Sequence, residues 1–128
     1  MFKKNISTGN PIITHKFTAD PTALIYQGIV FLITGHDEAP IGTEDYVMNE
    51  WLCFSSTDMV NWKEHPVPFR AKDFSWAKGD AYAAKVIERE GQFYLYATAN
   101  VRTDPSRLSD NDYLIFTTTF PFTRPVST

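Results

Sequence analysis

The chain has 128 residues, 43% of them apolar and 15% aromatic, and carries a formal charge of −3. That length and apolar share suit one ordinary domain with a buried core and exclude a disordered polymer, while ten Phe, six Tyr and three Trp favour pleated surfaces and ligand-stacking platforms. An acidic balance without a basic run excludes a nucleic-acid footprint, a single cysteine excludes an intrachain disulfide and cysteine-based zinc spacing, and no window reaches the length of a membrane span.

In chain order, Met1 to Ser7 holds two lysines but leads into Thr8-Gly9-Asn10-Pro11 instead of an apolar run, so it does not read as a signal peptide. The chain as it stands is expected in the cytoplasm, or outside the cell if a leader has been removed. Next comes Phe17-Thr18-Ala19-Asp20-Pro21-Thr22-Ala23-Leu24-Ile25-Tyr26, which sets a lone carboxylate at the mouth of an apolar strand. Proline disfavours the helical region for the residue before it, so Asp20 is expected to be extended, with its side chain aimed by the backbone. An Asp-Pro pair is also an ordinary turn initiator, and both readings stand on the dipeptide alone.

Two stretches share one pattern of apolar strand, glycine turn and aromatic-rich strand. They are Ala23 to Thr34 and Val86 to Ala97, with Gly28 matched by Gly91 at an offset of 63 positions. Each reads as a hairpin. Between them, Trp51 to Ser56 and Asn61 to Val67 form another strand pair joined by Thr57-Asp58-Met59-Val60. Cys53, in an apolar run, reads as a buried inert thiol, and Trp51 and Trp62 are expected to fill the gap between units. One unit thus holds four strands, near Thr22, Ile29, Trp51 and Trp62, and a second begins near Tyr82; repeats of this kind point to a β-propeller. Asp80 to Glu90 contains helix formers, yet Val86-Ile87 and the Glu90-Gly91 turn favour a strand. The connection from Gly35 to Asn49, with Asp37, Glu38, Glu44 and Asp45, reads as a surface or site-lining loop. Beyond Asn100, residues Arg102 to Asp112 read as loop, Tyr113 to Thr119 as strand, and Phe120 to Pro125 as an extended end.

The ordered set Asn10-Pro11-Ile12-Ile13, Ala19-Asp20-Pro21-Thr22, Gly35-His36-Asp37-Glu38-Ala39, Phe54 to Trp62, Phe74-Ser75-Trp76-Ala77 and Val86-Ile87-Glu88-Arg89 resembles glycoside hydrolase family 43, in its arabinofuranosidase and xylosidase branch. The resemblance implies an all-β chain forming about two blades of a five-bladed glycosidase propeller. It forms a single incomplete domain over 1–128, with a first blade at about 17–70 and a second at about 74–120. It also implies inverting hydrolysis of arabinofuranosyl or xylosyl linkages in plant polysaccharides. Inversion needs an acid on the leaving oxygen and a base on a water at the opposite face, with roughly 6.5–9.5 Å between the two carboxyls. By resemblance the base is Asp20, and the carbohydrate-binding candidates are His36, Asp37, Trp76 and Tyr82; Tyr82 falls where the family commonly places a stacking Trp.

The family's second aspartate and its acidic glutamate lie in later blades. Asp104-Pro105-Ser106 mimics the former but is followed by polar residues, so it reads as a loop turn, and neither Glu38 nor Glu50 sits in the acid's context. Asp80 is a cavity-lining or turn residue, and His15 and His65 read as structural or exposed. The chain is therefore expected to be the N-terminal piece of a longer enzyme, a truncated product or one part of an assembly, inactive or nearly so alone. A non-catalytic carbohydrate-binding module is the alternative. Open strand edges invite association between copies. No cofactor is expected, and no metal is assigned, because the calcium that the resemblance implies takes its ligands from later blades. The expected partner is an arabinose- or xylose-containing glycan, not nucleic acid or membrane.

Overall fold

The computed structural model describes residues 3–6, 9–75, 77–101 and 113–119, with side chains at 9–75 and 77–100. Trp76, the Asp104-Pro105-Ser106 turn, the rest of the expected 102–112 loop and the tail from Phe120 lie outside the described residues. The strands are β1 (Lys3–Ile6), β2 (Thr18–Tyr26), β3 (Ile29–His36), β4 (Glu50–Ser56), β5 (Asn61–Glu64), β6 (Phe69–Arg70), β7 (Ala77–Arg89), β8 (Gln92–Val101) and β9 (Tyr113–Thr119), with one 3-10 turn at Ala71–Asp73. All pairings are antiparallel. One sheet runs β1-β5-β4-β3-β2 with β6 beside β4, and the other runs β7-β8-β9. The chain is thus all-β, two neighbouring blades of a propeller, and Asp80 to Glu90 is strand as its turn residues require. Among the described residues no helix is long and apolar enough to cross a membrane.

The two glycine turns are alike in detail. Gln27 and Gly28 have φ of 49° and 75°, Glu90 and Gly91 of 53° and 77°. Positive φ at both central residues is the turn whose twist matches a two-residue hairpin, and glycine meets it without a Cβ clash. The β4–β5 connection is held differently. The Asp58 carboxylate accepts hydrogen bonds from the Asn61 side chain at 2.8 Å, from the backbone N–H groups of Asn61 and Val60 at 2.7 and 2.9 Å, and from the Ser56 hydroxyl at 3.1 Å. These bonds, that of the Asn61 side chain foremost, hold its carboxyl far below the usual carboxylate range.

Side-chain alternation along β3 and β4 builds two cores from one sheet. Phe31, Ile33, Trp51 and Cys53 face the second blade, where Val86, Phe93, Leu95 and the small residues Ala77, Ala81, Ala97 and Ala99 let the two sheets approach. Tyr26 and Phe93 meet edge to face across this seam, with ring centroids 4.9 Å apart. Leu52 and Phe54 face the other way, onto Ile13 and Trp62. Trp51 therefore fills the gap between the two described blades as expected, and Trp62 packs on the opposite face of the first sheet, not between these two. Burial pushes the Cys53 thiol well above its usual range, consistent with an inert core residue.

His65 is fully enclosed at 4% exposure, with Nε2 2.7 Å from the Ser55 hydroxyl. Burial, helped by the nearby Lys63 charge, lowers its pKa to about 4, so it is a neutral structural residue. His15 and Lys16 both engage Glu64, which β5 buries. Burial works against the Glu64 charge, but the hydrogen bonds from Lys16 and His15 outweigh it and lower the carboxyl's pKa.

Candidate active site

The innermost strands of the two blades, β2 and β7, lie against each other, and each is kinked near its start. In β2, Ala19 pairs with Gly35 and Thr22 with Ile33, so Asp20 and Pro21 together oppose the single residue Thr34. This is a β-bulge. Asp20 has φ of 50° and is exposed. The extended conformation expected from its proline is therefore overturned. Pro21 has no N–H to give the ladder, an extra residue must be absorbed there, and aspartate tolerates the left-handed region better than most side chains. Among the described residues the Asp20 carboxylate has no hydrogen-bond partner.

In β7, Gly79 pairs with Asn100 and Ala81 with Ala99, which leaves Asp80 as the extra residue, with φ of 53°. Asp80 is half-buried, and the Asn100 side chain donates to its Oδ2 at 2.7 Å. The two blades thus repeat one device, a bulge carrying an aspartate near the start of the inner strand.

The 37–49 loop, which joins β3 to β4 of the first blade, reaches across to the second. Its base is hydrogen-bonded from Asp37 N to Phe17 O at 3.0 Å and from Glu38 N to Val47 O at 2.8 Å. Its far arm docks on β7 through Ala81 N donating to Met48 O at 2.6 Å. At Gly35 the Met48 methyl occupies the space a Cβ would take, so the Met48 side chain packs directly on the β3 backbone. Tyr46 then stacks on Tyr82, with centroids 5.1 Å apart and planes 21° apart, and its hydroxyl donates to Ala81 O at 3.0 Å. Trp51 Nε1 donates to Tyr82 O at 2.8 Å, fixing the same stretch from below.

The Tyr46 hydroxyl reports what surrounds it. Its pKa is pushed up to about 12, by burial first and then by Tyr82, Asp20, Asp80 and Asp37 in that order. The Asp20, Asp37 and Asp80 carboxylates therefore share one electrostatic neighbourhood with the Tyr46–Tyr82 pair. At neutral pH this patch offers carboxylate acceptors, a tyrosine that stays protonated and an aromatic surface 49% exposed at Tyr46, which suits the hydroxyls and C–H face of a sugar. Sequence reading did not single out Tyr46. The only sign was an aromatic residue inside an acidic, period-free loop.

His36 falls into a second group. Alternation turns it to the face opposite Gly35, where its Nδ1 lies 3.2 Å from Glu50 Oε2 and 3.7 Å from Glu38 Oε1. Of the sequence candidates, then, Asp20, Asp37 and Tyr82 come together, His36 stands with Glu38 and Glu50, and Trp76 lies outside the described residues.

Residues 8–119 match the family model described as Glycosyl hydrolases family 43. The chain is 30% identical over 114 residues to the arabinoxylan arabinofuranohydrolase of Bacillus subtilis, an overlap of 73% of this chain and 22% of that protein. It is 30% identical over 97 residues to the xylosidase/arabinosidase 43A of Humicola insolens, covering 70% of this chain and 30% of that one. Among solved structures it is similar to a family-43 β-xylosidase/α-arabinofuranosidase from a compost microbial metagenome, solved with xylotriose. The match has a TM-score of 0.73 and 25% identity, and covers 91% of this chain and 35% of that one. The chain thus spans less than a third of the length of the two curated relatives.

Proposed function

The chain belongs to glycosyl hydrolase family 43, and from that premise we propose that it supplies the base half of an inverting glycosidase site for arabinofuranosyl or xylosyl linkages. The observation that carries this reading is the exposed Asp20 carboxylate on its bulge, with no hydrogen-bond partner among the described residues, in the electrostatic neighbourhood of the Tyr46–Tyr82 pair. In this role Asp20 takes a proton from a water that attacks the anomeric carbon, while an acid about 6.5–9.5 Å away protonates the leaving oxygen. Tyr82 and Tyr46 present their rings to the sugar, with Trp76 as a further platform, and Asp37 accepts sugar hydroxyls. His36 acts at one remove, fixing the root of the loop that carries Asp37 and Tyr46. The relatives named above are known by arabinoxylan, xyloside and arabinoside activities, which supports a pentose glycan as the partner.

No carboxylic acid of the described residues stands in a context suited to the leaving-group proton, so the 128-residue chain by itself is proposed to be inactive or nearly so. Two assays on nitrophenyl arabinofuranoside and xyloside test this. The chain alone should give no turnover above background. Grafted in place of the matching segment of the Bacillus subtilis relative, it should give turnover that Asp20→Ala lowers by about 10²–10⁴-fold. Turnover that survives Asp20→Ala removes Asp20 from the mechanism. The aromatic pair also favours a second reading, a binding module without catalysis. In that case titration calorimetry with arabinoxylan oligosaccharides shows affinity that depends on Tyr82 while the graft stays inactive.

A further inference from the structure

We propose that His36, Glu38 and Glu50 form a binding site for a single zinc-like divalent cation that clamps the two ends of the 37–49 loop. His36 stands one residue before the loop, Glu38 is the loop's second residue and Glu50 stands one residue after it, so the donors sit where the loop leaves and rejoins the first sheet. The imidazole Nδ1 is 3.2 Å from Glu50 Oε2 and 3.7 Å from Glu38 Oε1, and one donor atom from each residue lies within 4.8 Å of the other two. Bonds of about 2.0–2.2 Å to nitrogen and carboxylate oxygen place the corners of a tetrahedral zinc shell roughly 3.3–3.6 Å apart. The two separations from His36, 3.2 and 3.7 Å, lie just to either side of that range. Glu38, on the loop, closes the third edge by rotating its side chain.

A plain ion pair explains this grouping less well. One imidazole N–H donates to one carboxylate, and the second carboxylate is left facing the first. Arg70 offsets this only in part: its Nε is 3.7 Å from Glu50 Oε1, the oxygen not facing His36, and its side chain is 56% exposed. A cation answers both carboxylates at once. Glu50 also has the outer partner a metal site uses, since Arg70 faces its free oxygen from behind, while Asn49 Nδ2, 3.4 Å from Glu38 Oε1, draws toward the group the Glu38 oxygen that faces His36. One imidazole with two carboxylates favours zinc over calcium, which takes six to eight oxygens. Exposures of 20%, 34% and 16% leave the group reachable from solvent yet shielded enough for charge to matter.

The test is independent of any glycosidase activity. The chelator-stripped 128-residue chain is titrated with zinc chloride by calorimetry, and its melting temperature is followed with zinc and with calcium. We expect one zinc per chain, a melting temperature raised by at least about 4 °C at saturating zinc, and no comparable rise with calcium. His36→Ala should weaken binding by at least about tenfold. Glu38→Gln, at a loop position where folding is not at stake, should do the same. His15→Ala, which removes the imidazole paired with Glu64, should leave binding unchanged. The absence of heat and of a melting shift in the unaltered chain overturns the proposal, as does zinc binding that survives both His36→Ala and Glu38→Gln.

Discussion

The starts of β2 and β7 carry the same backbone device and put it to different uses. Both hold an aspartate at a bulge with φ near 50°, at 50° for Asp20 and 53° for Asp80. In the second blade Asn100 grips the carboxylate at 2.7 Å and the residue is half-buried, so the bulge is locked into the sheet. In the first blade the carboxylate is exposed and unpartnered among the described residues, free to meet a water or a sugar. The backbone positions the group; what decides between structure and chemistry is whether a neighbouring side chain holds it.

The strongest test of this pairing is to part the blades. Trp51→Ala removes a side chain only 1% exposed, which lies in the inter-blade core and donates to Tyr82 O, and should destabilise the chain by about 3–5 kcal/mol. Urea unfolding followed by circular dichroism measures it. Loss of the first blade alone, with the second unfolding at its original midpoint, would show that the two bulges do not belong to one cooperative unit.

Next in size is a pH effect confined to the first blade. The folded-state pKa of His65 is lowered to about 4 from an ordinary 6.5, so between those values the unfolded chain binds the proton and the folded chain does not. Stability should be full above pH 6.5 and fall as pH drops towards 4, by on the order of 3 kcal/mol. Denaturation midpoints across that window give the slope, and His65→Gln should remove most of it. A slope unchanged in that variant means other groups carry the titration.

Smaller and more pointed is the comparison of the aspartates themselves. Asp80→Ala leaves Asn100, 8% exposed, with an unmet side-chain amide and should cost about 1–3 kcal/mol. Asp20→Ala breaks no hydrogen bond among the described residues and should cost only the strain of an alanine at φ of 50°, about 1 kcal/mol, and Asp20→Gly, which meets that φ without a Cβ, should cost less. Equal losses at the two positions, read from urea midpoints, would erase the distinction between them.

Much of the fold was legible because its determinants are local. The paired Gly28 and Gly91 turns, the β-rich runs around them and the strand at Tyr113–Thr119 all follow from neighbours in sequence. What was misread depends on distant partners. Pro21 argues for an extended Asp20, but the bulge there is set by register against Thr34, which belongs to another strand. Trp62 alternates correctly along β5, yet which face it joins depends on Ile13 and on Phe54 of β4. Tyr46 lies in a loop without periodicity, and its place against Tyr82 follows from the Met48–Ala81 hydrogen bond between blades. Asp20 and Tyr82 could be picked out as candidates from their own neighbours in sequence, and the loop that places Tyr46 between them could not.

The account rests on that patch being where a pentose glycan sits. An amide-resolved NMR titration of the isotope-labelled chain with arabinoxylan oligosaccharide tests it most directly, because the hairpin turns at Gln27-Gly28 and Glu90-Gly91 lie at the far ends of the same strands. The account predicts shifts concentrated at Ala19 to Thr22, Asp37 to Met48 and Asp80 to Tyr82, with the two turns unmoved. Shifts centred on the turns, or none at any concentration, would contradict it.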